Sequence, residues 1–279
     1  MEIEKQYILS EDEQAEFSSY IENRFEGCSE ISAPDMDYLK PWEGIVLYAG
    51  VLGAAEAVNA KVCPKRPVEF RKPDGVSICV EDSFAGKIPV IRVRDVSDFE
   101  DLVTNAAYKG VRSDNIDRTG ASFIHGKTVR FIILSYKPYS NVPAHELGLD
   151  DAEWKERSMQ LRFGHECTHF FTKQTYGITN NILHDEIMAD FIGMYEAFGF
   201  YKAEWFLRFM GIDGNDSGRM IFYTKDLSAD VRKEVSGLVR EAAYGLERWS
   251  KTDGFANLDA AERIKKMCHA GLQGMKKNI

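Results

Sequence analysis

Two histidines and a glutamate lie close together near the middle of this 279-residue chain, in His165–Glu166–Cys167–Thr168–His169. Side chains four residues apart share one face of an α-helix, so the two imidazoles can bind one metal ion. Glu166 is displaced around the helix, where its carboxylate can reach a metal-bound water without binding the metal. The pattern predicts a zinc site with Glu166 as the general base.

A catalytic zinc ion also needs a third protein ligand and an open fourth position. The segment His184–Asp185–Glu186–Ile187–Met188–Ala189–Asp190 offers Glu186 as that ligand. Glu186 and Asp190 are again four residues apart, so both side chains face the same way on a second helix. The sequence therefore predicts that two helices supply the site.

Taken together, the two segments resemble the pattern of gluzincin zinc metallopeptidases. His165-Glu166-x-x-His169 is followed, after sixteen intervening residues, by Glu186-x-x-x-Asp190, which is similar to the E-x-x-x-D of thermolysin-like enzymes. The longer string Glu186-x-x-Ala189-Asp190-x-x-Gly193 resembles that of the membrane gluzincins that process prenylated or misfolded proteins. The resemblance covers about residues 150–200.

The resemblance implies a role for each residue of the pattern. It implies His165, His169 and Glu186 as zinc ligands, and Glu166 as the base. It implies Asp190 as the carboxylate that bonds the non-ligating nitrogen of His165, which agrees with the usual second hydrogen bond of a ligating histidine. Four protein ligands would leave no position for water, so Asp190 is expected not to bind the metal.

The predicted activity is zinc-dependent hydrolysis of a peptide or protein substrate. Two alternatives stay open. One is a non-catalytic interaction or regulatory protein with a structural zinc site, in which Asp185 or His184 closes the coordination sphere; the other is a hydrolase of non-peptide amides. The donor that stabilises the oxyanion is left open among four residues: His184, Tyr176, Tyr201 and Tyr223.

The two helices have recognisable signals at their ends. Asp150 fits an N-cap for the first helix, and Tyr176 and Gly177 fit its end. Its apolar residues recur at spacings of three and four and predict one buried side: Phe163, Cys167, Phe170 and Phe171. The second helix is predicted over residues 182–199, with Asn180 or Asn181 as its cap.

The order of the remaining elements predicts one α+β domain with a zincin-like active site. Residues 1–66 are predicted as a helical part, 67–136 as a small mixed sheet with a backing helix, and 150–279 as a mostly helical part that carries the metal site. The predicted helices before the site are residues 11–26, capped by Ser10, residues 42–61, and residues 97–110, capped by Ser97. The predicted strands are residues 68–70, 77–80, 88–94, 122–125 and 128–135, the last two joined by a turn at Gly126 and Lys127.

The strongest predicted strand, within residues 129–134, precedes the metal-binding segment. We expect it either to border the active-site cleft, with an open edge to which an extended peptide could pair, or to lie in the interior of the sheet.

Composition restricts the class of protein. The net charge of −9 argues against nucleic acid as a partner. No run of 18 apolar residues exists, so no membrane partner is expected, and residues 1–5 contain no apolar signal core. Five cysteines with no C-x-x-C pair predict reduced thiols and a cytoplasmic location. The oligomeric state is not indicated.

Overall fold

The computed structural model describes residues 9–32, 36–126, 129–179, 182–212, 218–277 and 279. The chain divides into two compact units. The helical unit comprises Met1–Ser29, Asn180–Phe191 and Phe200–Ile279; the sheet unit comprises Glu30–Thr179 and Ile192–Gly199. A four-stranded sheet and a mostly helical C-terminal half confirm the predicted α+β class. The prediction of a single domain stays a prediction.

Helices account for most of the regular structure. In chain order they are α1 (Glu11–Tyr20), α2 (Lys40–Leu52), α3 (Ala54–Ala57), α4 (Val96–Ala106), α5 (Ala144–Leu147), α6 (Asp151–Tyr176), α7 (Leu183–Phe198), α8 (Ala203–Met210), α9 (Met220–Thr224), α10 (Ala229–Trp249), α11 (Asp253–Ala256) and α12 (Ala260–Lys276). None of the described helices is both long enough and apolar enough to cross a membrane.

The sheet is mixed, as predicted, and has the order β1-β2-β4-β3. Its strands are β1 (Val76–Ser83), β2 (Gly86–Val93), β3 (Ala121–His125) and β4 (Arg130–Ser135). β1 pairs antiparallel with β2, β2 pairs parallel with β4, and β3 pairs antiparallel with β4. β4 therefore lies inside the sheet, which contradicts the expectation of an open edge on this strand and confirms the interior alternative.

Both faces of the sheet are covered, because successive side chains of a strand point to opposite faces. On one face, Phe131 and Ile133 of β4 pack with Trp42 of α2 and Phe99 of α4. On the other face, Ile132 and Leu134 pack with residues of α6, which include Met159, Cys167 and Phe170. The helix that carries the two histidines is thus fixed directly on the sheet.

Several predicted elements differ in extent. The helix predicted over residues 42–61 breaks at Gly53, whose φ of 95° is compatible with glycine but not with a continuing helix. Residues 68–70 form no strand. Asp95, not Ser97, caps α4, since its carboxylate accepts from the amides of residues 97 and 98. Ser10 and Glu13 form the predicted capping box of α1, which ends at Tyr20.

In the helical unit, α10 packs against α1, α8 and α12. The Asn23 side chain donates to the carbonyls of residues 268 and 269, next to a kink of α12 at Gly271. Several predicted features lie wholly or partly outside the described residues: the segment 1–5, the turn residue Lys127, the cap at Asn180 or Asn181, and most of residues 211–218, for which the sequence predicts a turn-rich loop.

Candidate metal centre

The helix α6 begins and ends where the sequence predicts. The Asp150 side chain accepts hydrogen bonds from the amides of Ala152 and Glu153, at 2.9 and 3.2 Å. The helix ends at Gly177, which has the left-handed φ of 71° that favours glycine. Between these ends, the side facing the sheet is buried, and the two histidines lie within this rigid 26-residue element.

His165 and His169 point their Nε2 atoms at one another. The two Nε2 atoms are 3.1 Å apart, and the ring centroids are 4.8 Å apart. Each residue is only 7 % exposed. A buried polar group needs a partner, so two imidazoles that turn the same nitrogens to one point form a pair of donors suited to one metal ion.

Glu186 belongs to the same group. Each of His165, His169 and Glu186 offers one ligand atom, and these atoms all lie within 4.8 Å of one another. All three residues are buried, with Glu186 3 % exposed. Two imidazoles and one carboxylate form a donor set that zinc accepts at catalytic sites.

The other ring nitrogen of His165 has a partner that the sequence did not indicate. The Tyr139 hydroxyl is 2.9 Å from Nδ1 of His165, and both residues are buried. Tyr139 lies 26 residues before His165, in a loop without regular spacing, so no pattern could have found it. On the second histidine, the Thr179 hydroxyl is 3.5 Å from Nδ1, at the limit of a hydrogen bond.

Asp190 also has a neighbour that the sequence did not indicate, Arg219. Asp190 is fully buried and forms a close ion pair with the Arg219 guanidinium, whose other terminal nitrogen is 3.4 Å from Glu186. Arg219 therefore joins the two carboxylates of α7. That Asp190 bonds His165 stays a prediction, and the partner described above at the non-ligating nitrogen of His165 is the Tyr139 hydroxyl. Asp190 is outside the group of three residues with ligand geometry.

The four candidate oxyanion donors have different surroundings. Burial raises the pKa of Tyr223 well above the ordinary value, and so does the Glu186 carboxylate, which accepts a hydrogen bond from the Tyr223 hydroxyl. Burial and the charge of Asp190 raise the pKa of Tyr201. Burial lowers the pKa of His184 to about 4, and its Nε2 lies 3.1 Å from the Met267 carbonyl.

The fourth candidate, Tyr176, is the buried last residue of α6.

Two residues between the histidines, Glu166 and Cys167, differ in their exposure. Glu166 is half-buried, whereas Cys167 is fully buried in the core beneath the sheet. This agrees with its predicted place on the buried side of α6, and burial raises the pKa of the Cys167 thiol.

The helices α6 and α7 come very close at two glycines. A Cβ atom added to Gly193 would lie 2.5 Å from the Leu161 carbonyl oxygen and 3.2 Å from the His165 amide nitrogen. A Cβ atom added to Gly164 would lie 2.9 Å from the Cα of Gly193. Only glycine allows this approach, and it occurs at the turn of α6 that carries His165.

Comparison with known proteins gives one match. The family model described as "Family of unknown function (DUF7005)" matches residues 127–278, which is just over half of the chain. All the residues of the predicted site lie inside this span. No curated protein and no solved structure matches the chain.

Proposed function

The chain belongs to this family of unknown function (DUF7005), and from the chemistry of its own site we propose that it is a zinc-dependent peptidase. The observation that carries the proposal is the buried group of His165, His169 and Glu186, with ligand atoms within 4.8 Å of one another. A peptide or protein is the proposed substrate. The resemblance of the same segment to the gluzincin pattern also supports a zinc-dependent peptidase.

The residues fit zinc by their chemistry. Imidazole nitrogens and a carboxylate oxygen are the ligands of the two-histidine, one-glutamate catalytic zinc sites, and His165 and His169 present the same nitrogen to one point. When bound, zinc would supply a Lewis acid that polarises a substrate carbonyl and lowers the pKa of a coordinated water.

The chain's own residues would handle the protons and the developing charge. Glu166, half-buried beside the ligands, would accept the proton of the attacking water and deliver it to the leaving amine. Tyr223 carries its proton at neutral pH, as tyrosines ordinarily do, and its hydroxyl can donate a hydrogen bond to an oxyanion. Its position beside Glu186 makes it the candidate we favour for that role.

The cysteines support a cytoplasmic location for this activity. All five are free thiols, and three of them are buried. Disulfides are rare in the reducing cytosol, whereas secreted proteins commonly contain them.

Metal content tests the site. We expect protein purified without chelators to contain one zinc ion per chain, and His165→Ala or Glu186→Gln to abolish binding. His145→Ala, which removes an exposed histidine, is the matched control and should bind zinc normally. Wild-type protein that binds no zinc under these conditions would refute the proposal.

Activity against a peptide library tests the catalytic role separately. Glu166→Gln should lower turnover by about 10²- to 10⁴-fold, the usual contribution of a general base, while zinc stays bound. Glu153→Gln changes an exposed glutamate of the same helix and should leave turnover unchanged. Zinc binding without any hydrolysis that depends on Glu166 would favour the structural zinc site instead.

A further inference from the structure

The loop between β4 and α5 is tied to α6 by polar side chains of that helix. The Ser158 hydroxyl accepts a hydrogen bond from the Tyr139 amide at 2.9 Å. The Arg162 guanidinium donates to the carbonyls of Lys137 and Pro138, at 2.6 and 2.8 Å. Ser158 and Arg162 are buried, so these bonds replace bonds to water that the loop would otherwise make.

The backbone beside Tyr139 is strained. Ser140 and Asn141 have φ values of 51° and 58°, in the left-handed region that residues with a Cβ seldom adopt. Such a residue persists only where its surroundings determine the conformation. The strained turn follows immediately after Tyr139, whose hydroxyl reaches His165 of α6. The central guanidinium carbon of Arg162 lies 5.4 Å from the centre of the Tyr139 ring.

The ring of His165 has contacts at both of its nitrogens. The Tyr139 hydroxyl lies 2.9 Å from Nδ1, whereas Nε2 faces His169. A histidine that binds a metal through Nε2 carries its proton on Nδ1, and the partner of that N–H sets the tautomer and the orientation of the ring. In the metal-bound protein the Tyr139 oxygen would accept this hydrogen bond.

We propose that Tyr139 is a positioning residue that holds His165 in the tautomer and orientation required for metal binding, and that Ser158 and Arg162 hold Tyr139 in turn. This inference rests on the proposed metal site. Tyr139 acts through His165, so its loss is expected to weaken metal binding itself, whether or not the protein hydrolyses a peptide.

Zinc affinity of Tyr139→Phe tests the proposal. Competition with a chromophoric chelator should give a dissociation constant about 10- to 100-fold above that of wild type, the usual effect of losing a partner of a ligating histidine. Tyr136→Phe is the matched control: it removes a hydroxyl of the same loop, which bonds the exposed Glu156 instead. This variant should bind zinc as wild type does.

Histidine NMR supplies a readout that general damage to the fold would not imitate. In long-range ¹H–¹⁵N spectra of the zinc-loaded wild type, His165 should appear as the Nδ1–H tautomer with a proton protected from exchange with water. In Tyr139→Phe that proton should exchange too fast to be observed, while the signals of the control Tyr136→Phe remain those of wild type.

A second variant covers the case in which Tyr139→Phe does not fold. Ser158→Ala removes the acceptor of the Tyr139 amide and leaves the hydroxyl in place, so zinc affinity should fall by about three- to tenfold, as for one hydrogen bond. If the wild-type protein binds zinc and the folded variants bind it with the same affinity, the role of Tyr139 is overturned and the proposed metal site is not. Absence of zinc binding in wild type would overturn both.

Discussion

Replacing Gly193 by alanine tests whether the close crossing of α6 and α7 positions the site. The added Cβ would lie 2.5 Å from the Leu161 carbonyl oxygen, about 0.8 Å inside an ordinary C···O contact of about 3.3 Å. The obstacle is backbone of a helix packed on the sheet, so no side-chain rotation relieves it. The two helices must separate at the turn that carries His165.

Two opposing terms decide the effect on stability. Overpacking costs about 1–3 kcal/mol, whereas alanine is about 1 kcal/mol better than glycine inside a helix. Because the contact is with backbone, we expect the first term to win and Gly193→Ala to lose about 1–2 kcal/mol. Gly237→Ala in α10 is the matched control, since an added Cβ there has nothing within 4 Å. It should gain up to about 1 kcal/mol.

Urea unfolding of the two variants measures this difference. At a slope of about 3 kcal/mol per molar urea, a separation of about 2.5 kcal/mol places the two midpoints about 0.8 M apart, on opposite sides of wild type. Zinc affinity should fall in Gly193→Ala and stay constant in Gly237→Ala. If Gly193→Ala is as stable as Gly237→Ala, the crossing does not constrain the helices and the reasoning fails.

Three further predictions concern charged and reactive groups. Asp190→Asn should destabilise the protein by about 1–3 kcal/mol, because it removes the charge paired with Arg219. It should also weaken zinc binding about 10- to 100-fold, because Arg219 contacts the proposed ligand Glu186 as well; urea unfolding and zinc titration check both effects, and a wild-type unfolding midpoint would contradict the first. Lys137→Met should lower the free energy of unfolding by about 3 kcal/mol, since the buried Lys137 ammonium donates to Glu100 and to two carbonyls. A loss below about 1 kcal/mol would mean that the Lys137–Glu100 ion pair contributes little more than an exposed one. Brief maleimide treatment of the folded protein should label one thiol, Cys28. Three other thiols are buried, and burial together with the neighbouring Glu81 carboxylate raises the pKa of Cys79 to about 11. Mass spectrometry that finds a different thiol labelled first would contradict this.

Features determined by local chemistry could be predicted from the sequence. Asp150 and Gly177 mark the ends of α6 because an N-cap and a left-handed C-terminal residue need no distant partner. The spacing of His165 and His169 places two imidazoles together through helix geometry alone. The strand segments of the sheet followed similarly from alternation and turns.

Features that depend on distant pairing could not be predicted. Which strand lies at the edge depends on the parallel pairing of β2 with β4, which no segment encodes by itself. Tyr139 and Arg219 reach the site from loops, where residue spacing carries no information about direction. The end of the second helix at Gly53 depended on a positive φ, which glycine permits but does not require.

The interior position of β4 has a practical consequence for the segment shared with the family. Residues 127–278 contain β4 and the helices after it, but both neighbours of β4 in the sheet precede residue 127. A fragment cut at that boundary would leave β4 with two unpaired backbone edges, and would expose the apolar face of β4 that α2 and α4 cover in the full chain. We expect it to aggregate on expression, whereas adding residues 76–126 would restore the sheet on which the ligand-bearing helix α6 rests.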